Sequence, residues 1–404
     1  MAHENVAIIG AGLSGLTLAL SLHQQNISST VYEVRSAPID IGGAITVSPN
    51  ALQIIDKLGI YENVLSEGYP CEAFHFRFQD DKPFDTYEIG SVSKYGYPGL
   101  RVYRKVLIKE LLAKCAEKNI QIIFGKKFNR ILSESEAGVT WEFEDGTVGQ
   151  AASLVGADGI HSLVRSYVHG DIEPKFMNVM AIGATVPTSK VALPKDYALP
   201  VTIMSKTHGA YILAPNFPDG SELVIVKQRR IEEHDREGWK HLLADKEGSV
   251  EFLRQGTEDF PEIVRQAVSA ITPESVSIWP FYQVPKMDKW TSKGGRVSML
   301  GDAAHAIPPS SGQGANQVFE DAYTYALIRG QCDGDSLDSV LPKWQRGRQE
   351  RIDRLITLAQ QMNARRLPES GQNELTEVIG TEDFNMEWLF KPDLEKMIQT
   401  WLAS

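Results

Sequence analysis

Residues 6 to 33 constrain the fold of this chain more than any other stretch. Val6-Ala-Ile-Ile9 is wholly apolar, as expected of a strand buried on both faces of a parallel sheet. Gly10-Ala-Gly12-Leu13-Ser14-Gly15 follows at once, and Leu16, Leu18, Ala19, Leu20 and Leu22 then give the apolar face of a helix running to about Gln25. Thr30-Val-Tyr-Glu33-Val34 reads as a second strand that closes on an acid, with Arg35 directly after it. Strand, glycine turn, helix, strand and an acidic residue about 20 positions on form a dinucleotide fingerprint. Gly10 permits the tight turn, Gly12 lets backbone approach a pyrophosphate, and Gly15 lets the helix pack close against the strand. The pyrophosphate would sit at the positive helix end, and Glu33 would accept bonds from a ribose diol.

A second strand-turn-helix lies far along the chain. Val297 to Leu300 is a short apolar strand, followed by Gly301-Asp302, small residues, Pro308-Pro309-Ser-Ser and Gly312-Gln-Gly314, which opens a long helical pattern through Ala315 and Asn316. Glycines there let backbone come near a ligand, and unpaired helix N–H groups suit negative charge. Two such units imply one long cofactor bridged by both parts of the chain. FAD fits, with its adenosine half at Gly12 and Glu33 and its ribityl chain and ring at Asp302 and Gly314.

Between these units Gly42-Gly43-Ala44-Ile45 reads as a flexible small-residue loop, and Asn50 to Leu58 as an amphipathic helix. Ala73-Phe-His-Phe-Arg-Phe78 alternates like a half-buried antiparallel strand. Ser153-Leu-Val-Gly156-Ala-Asp158-Gly repeats the theme of a buried strand entering a polar turn before a helix. From Phe176 to Pro285 the pattern changes to strand-like runs at Val201 to Met204, Ala210 to Leu213 and Leu223 to Gln228, then helices near Trp239 to Phe252 and Glu262 to Ala270. Helices are also expected from Gly314 to Arg329, from Leu341 to Met362 and near Leu394 to Leu402. The fold class is thus α/β: a Rossmann-type FAD-binding domain, a second, mainly antiparallel β-sheet substrate domain, and C-terminal helices. The expected division is 1–70, 100–175 and 290–335 for the FAD domain, 71–99 and 176–289 for the substrate domain, and 336–404 for the helical segment.

The formal charge of −11 argues against general binding to nucleic acid. Cys71, Cys115 and Cys332 form no CxxC pair and read as reduced bystander thiols. The N-terminal residues lack the basic segment of a signal peptide, and no apolar run reaches the roughly 18 residues of a membrane span. A cytoplasmic monomer or homodimer acting on a small molecule is expected.

Three motifs, in order and across almost the whole length, make the chain resemble the single-component FAD-dependent aromatic hydroxylases, the group related to para-hydroxybenzoate and salicylate hydroxylases and to tetracycline-inactivating monooxygenases. They are Gly10 to Gly15 with Glu33, Gly156-Ala-Asp158-Gly-Ile-His-Ser-Leu-Val-Arg165, and Gly301-Asp302 with Pro308 to Gly314. The resemblance implies that Asp302 holds the ribityl chain, that Arg104 sits near the linking region, and that Asp158 lies near the pyrophosphate with Arg165 supporting it. It places Gly42, Gly43 and Ala44 beside the isoalloxazine. It also implies NADPH, or NADH, as a transient reductant, O2 as co-substrate, and a flavin C4a-hydroperoxide that passes oxygen to an electron-rich carbon. Inactivation of a tetracycline-like antibiotic is a variant of this reading, and a flavoprotein reductase without oxygen insertion is the alternative class.

Catalytic residues are not readable, because the flavin carries the chemistry. His305 is a candidate proton relay or a packed scaffold residue, and Tyr211 is a candidate pocket aromatic or ordinary core. His161 reads as helix-start packing. Arg101 is read either as the partner of an anionic substrate or as half of a surface salt bridge. Trp279-Pro280 matches only half of the flavin-halogenase motif. No metal-ligand spacing or nucleophile elbow is present.

Overall fold

The computed structural model describes residues 5–38, 42–170, 172–205, 207–331, 337–366 and 386–403. Cys332 lies outside them, as does most of the polar stretch from Pro368. Cys71 and Cys115 are both free and buried, and burial pushes each thiol up to about 12.

A five-stranded sheet runs in the order Val297–Met299, Ser153–Gly156, Asn5–Ile9, Ser28–Tyr32 and Gln121–Ile123, and every pairing in it is parallel. The wholly apolar first strand follows from its central place. Val6 and Ile8 enter the large core under the helices, while Ala7 and Ile9 face a second core containing Trp141 and Phe143 from an antiparallel three-stranded sheet. The acid expected at a strand end lies just past it, because Ser28–Tyr32 stops one residue before Glu33.

Helix Leu13–Gln24 packs on helix Gly314–Gly330, in which every residue from Asn316 to Arg329 is buried. The two units inferred from the sequence therefore meet through their helices. Gly301 makes the contact tighter, since a Cβ there would lie 2.4 Å from the Ser14 Oγ.

A seven-stranded sheet has the order Val276–Gln283, Lys175–Pro187, Glu222–Arg230, Gly209–Pro215, Val201–Ser205, Ala73–Phe78 and Pro83–Glu88. All its pairings are antiparallel except that of Val201–Ser205 with Ala73–Phe78. Its side chains alternate between two faces. Met180, Ile182, Tyr211, Leu213 and Ile225 pack under helices Lys246–Arg254 and Glu262–Ser269 against Leu253 and Val264. Ala181, Gly183, Ile212, Ala214 and Val226 take the opposite face, toward a cavity.

Ala44 and Ile45, expected in a flexible small-residue loop with Gly42 and Gly43, instead begin the strand Ala44–Val47. It pairs with Gly99–Tyr103, which also pairs with Tyr69–Cys71. Lys175–Pro187, the longest strand, has no counterpart among the strand-like runs read from the sequence. Among the described residues no helix is long and apolar enough to cross a membrane, and no cluster could hold a metal ion.

Candidate functional site

The glycine turn uses its three glycines differently. Gly10 has φ +107°, and a Cβ on it would lie 2.5 Å from the Ala157 carbonyl oxygen. A Cβ on Gly15 would lie 1.9 Å from the Gly10 oxygen. Both are required because the chain packs on itself. Gly12 instead has nothing within 4 Å of such a Cβ, and with Leu13 and Ser14 it lines a cavity of about 650 Å³. The helix that begins here has no side-chain cap, and the Ser14 hydroxyl is buried without a partner. A ligand with phosphate-like acceptors fits that end, where N–H groups lack intrahelical partners.

Glu33 is 7% exposed and does not line the cavity. Its carboxylate ties the turn together, accepting from Ala11 N–H at 2.8 Å and Arg35 N–H at 3.0 Å. Two hydrogen bonds leave lone pairs on both oxygens for further donors. Val34 and Arg35 are exposed just beyond it.

At the other unit, Gly301 has φ +62° and donates its N–H to Asp321 Oδ2 at 2.9 Å. Asp302 follows with its side chain exposed to the cavity. Dense surrounding protein raises its pKa through desolvation, with His305 and Arg104 opposing that rise and Asp321 reinforcing it. Water in the cavity softens this effect, and a bound ligand would strengthen it. Pro309, Gly312, Gly314 and Ala315 line the same cavity, and Cβ atoms on Gly312 and Gly314 would meet nothing within 4 Å. Asn316 is turned inward instead: it accepts from Ser48 N–H at 2.9 Å and donates to Thr46 and Gly312 carbonyls at 3.1 and 2.8 Å.

Beneath this loop lies a buried charge network. Arg348 donates to Asp321 Oδ1 at 2.7 Å and Glu320 Oε2 at 2.5 Å, and Arg351 grips both Glu320 oxygens at 2.8 Å. Burial opposes ionisation of both acids, but the two arginines beside Glu320, and His305 with Arg348 beside Asp321, hold each carboxyl down at about 2. His305 is 6% exposed, bonds Asp321 through Nε2 at 2.5 Å and does not line the cavity. That placement suits a scaffold residue.

Ala44 opens the strand Ala44–Val47, Gly43 precedes it and Arg104 begins the helix that follows Gly99–Tyr103; all three line the cavity, and Arg104 N–H donates to the Gly43 carbonyl at 3.3 Å. Asp158 sits between two lining residues, Ala157 and Gly159, but its Oδ2 accepts from Leu163 and Val164 N–H at 2.9 and 3.3 Å. Its Oδ1 is buried without a partner, and desolvation raises the carboxyl's pKa. Arg165 braces the block, with Nη1 on the Ala303 carbonyl at 3.1 Å. His161, expected to pack, is exposed.

The far wall was the least legible part. Tyr211 is fully buried on the helix-covered face, where its hydroxyl donates to the Leu253 carbonyl at 2.6 Å, and is no part of the cavity. Arg101 is a cavity residue and no surface ion pair. It is 9% exposed, has no carboxylate partner among the described residues, and donates to the Pro215 carbonyl at 3.0 Å and Asn216 Oδ1 at 2.9 Å. Desolvation lowers its pKa. Trp279 faces Gly43, whose Cβ would lie 3.5 Å from its ring, and Gln228 lines the same wall. Nothing around Gln228 in the sequence marks it, and only the two-residue period of its strand, anchored to a known register, could have found it.

A family model described as FAD binding domain matches residues 3–357. A 3-amino-4-hydroxybenzoate 2-monooxygenase of Streptomyces platensis is 30% identical over 336 residues, covering 82% of this chain and 80% of that protein. A 6-hydroxynicotinate 3-monooxygenase of Bordetella bronchiseptica is 27% identical over 355 residues, covering 87% and 89%. A solved salicylate hydroxylase substrate complex shares the fold, with a TM-score of 0.80 and 22% identity over 99% of this chain and 98% of that one.

Proposed function

Because this chain belongs to the family of FAD-dependent aromatic monooxygenases, we propose that it uses NAD(P)H and O2 to hydroxylate an aromatic or polyketide-like small molecule. The observation that carries this reading is a continuous cavity, which has Gly12, Asp302 and Gly314 on one side and a largely apolar sheet face on the other. The parallel-sheet segments would hold the cofactor and the seven-stranded sheet the substrate.

The residues fit FAD. Open space at Gly12, Gly312 and Gly314 would admit it without a Cβ in the way, and the unpartnered Ser14 hydroxyl would gain a bond. Glu33 would take the ribose diol, the Leu13–Gln24 helix start the pyrophosphate, Asp302 the ribityl hydroxyls and Arg104 the linking region. Asp158 would stay near the pyrophosphate, and Gly43 and Ala44 would border the ring. The chemistry that FAD supplies when bound is hydride acceptance from NAD(P)H and reaction with O2, one oxygen atom going to the substrate and the other to water. The first turn of Gly314–Gly330 would favour negative charge developing beside it. The apolar wall would exclude water from the transfer.

Anaerobic addition of NADPH to FAD-loaded protein tests the reading. Bleaching of the visible flavin absorbance, faster with an aromatic from a panel of phenols, indoles and polyketides, is expected; an absorbance that no nicotinamide bleaches contradicts it. Asp302→Ala removes a charged acceptor, on the order of 1.5–3 kcal/mol. The FAD dissociation constant should then rise roughly ten- to hundredfold. Unchanged flavin absorbance per mole of purified protein would count against the assignment.

A further inference from the structure

The cavity wall formed by the seven-stranded sheet carries little chemistry along its middle. Ala181, Gly183, Ile212, Ala214, Val224 and Val226 present small or aliphatic side chains there. Gln228 interrupts that row. By the two-residue period of Glu222–Arg230 it shares the face of Val224 and Val226, whereas its neighbour Lys227 points into the helix-covered core and donates to the Gln255 carbonyl at 2.8 Å.

Gln228 is 8% exposed, and its carbonyl oxygen is buried without a hydrogen-bond partner. Such an oxygen works against folding, and an aliphatic side chain of similar size would suit the bare protein better. A residue that harms the free protein while facing a ligand cavity is explained by what it does to the ligand.

We propose that Gln228 is a specificity-determining residue of this cavity, and that it recognises a ring-borne hydroxyl group, which donates to the amide oxygen. The inference rests on the reading of the cavity as a hydroxylase's substrate site and names a residue of that site. A terminal amide can turn end over end about its last torsion, and a hydroxyl both donates and accepts, so it pairs with either orientation. A methyl group of the same size leaves the amide unpaired. Sites built around a buried hydrogen-bonding group reject an analogue that lacks the partner far more strongly than apolar pockets reject an extra methylene.

The test titrates FAD-loaded protein with isosteric pairs, 4-hydroxybenzoate against 4-methylbenzoate and 5-hydroxyindole against 5-methylindole, following the perturbation of flavin absorbance. The wild type should bind the hydroxyl member of at least one pair about tenfold or more tightly. Gln228→Leu should bring that ratio close to unity with unchanged FAD content, and should raise the Tm of the ligand-free protein by about 2 °C. A ratio that survives in Gln228→Leu, no preference in any pair, or a Tm that falls as for an ordinary packing residue overturns the proposal. A wild type that takes up no FAD strikes instead at the reading of the cavity, and the hydroxyl preference is then read without flavin, as a larger Tm rise with the hydroxyl than with the methyl member of a pair in the wild type and equal rises in Gln228→Leu; equal rises in the wild type overturn the proposal.

Discussion

Replacing Arg348 with leucine is expected to destabilise the protein by about 3–5 kcal/mol, the cost of leaving a buried charge without its partner. Arg348, Glu320 and Asp321 are all fully buried. Arg351 can still hold Glu320, but Asp321 would keep only the Gly301 N–H and His305, both on the cavity loop. The damage should therefore reach the Gly301–Asp302 turn and lower flavin content along with stability. The pH dependence follows from the depressed acids. Their folded pKa values, about 2, lie below the unfolded values, so their contribution is fully present above roughly pH 4.5 and is lost as pH falls toward about 2. Without Arg348 that acid transition should move to higher pH. Urea unfolding at neutral pH with an acid titration checks both points, and a loss below about 1 kcal/mol would mean that the network does not hold the loop.

Gly15→Val and Gly12→Ala should fail in opposite ways. At Gly15 the new Cβ would sit 1.9 Å from the Gly10 carbonyl oxygen, and Gly10 is itself packed so closely on the chain that a Cβ built on it would lie 2.5 Å from the Ala157 oxygen. The helix must lift off the strand, which costs about 3 kcal/mol or more, as severe overpacking does. Gly12→Ala meets nothing within 4 Å and should leave the apoprotein's stability nearly unchanged while reducing FAD uptake. Unfolding curves of the two apoproteins and their flavin content after reconstitution separate the cases. Equal behaviour would show that the turn's glycines are not divided between packing and ligand approach.

Those two glycines also show why part of the fold could be read from the sequence. A turn that must bring backbone within contact of backbone leaves a local signature, so strand, turn and helix at Gly10 to Gly15 and at Gly301 to Gly314 were visible without knowing any partner. The substrate wall has no such signature. Tyr211 and Ile212 are adjacent and both apolar enough for either face, and only the antiparallel register with Lys227 and Val226 decides which of them meets the cavity. Ala44 and Ile45 read as part of a loop because the strand that pairs with Ala44–Val47, Gly99–Tyr103, lies far along the chain. Arg101 could be read either as a substrate partner or as a surface charge, because nothing local reveals that the Pro215 carbonyl and Asn216 will close over it. Gln228 has an ordinary strand sequence on either side, and its unpaired amide exists only in the assembled sheet.

The most direct test of the monooxygenase reading is the fate of isotopically labelled O2. FAD-loaded protein, NADPH and the aromatic that most accelerates flavin bleaching are incubated under the labelled gas, and the product is analysed by mass spectrometry. The account predicts one labelled oxygen atom in the product for each turnover that hydroxylates it. NADPH consumption with a product that carries no label would contradict it, and would make this chain a flavoprotein reductase built on a hydroxylase fold.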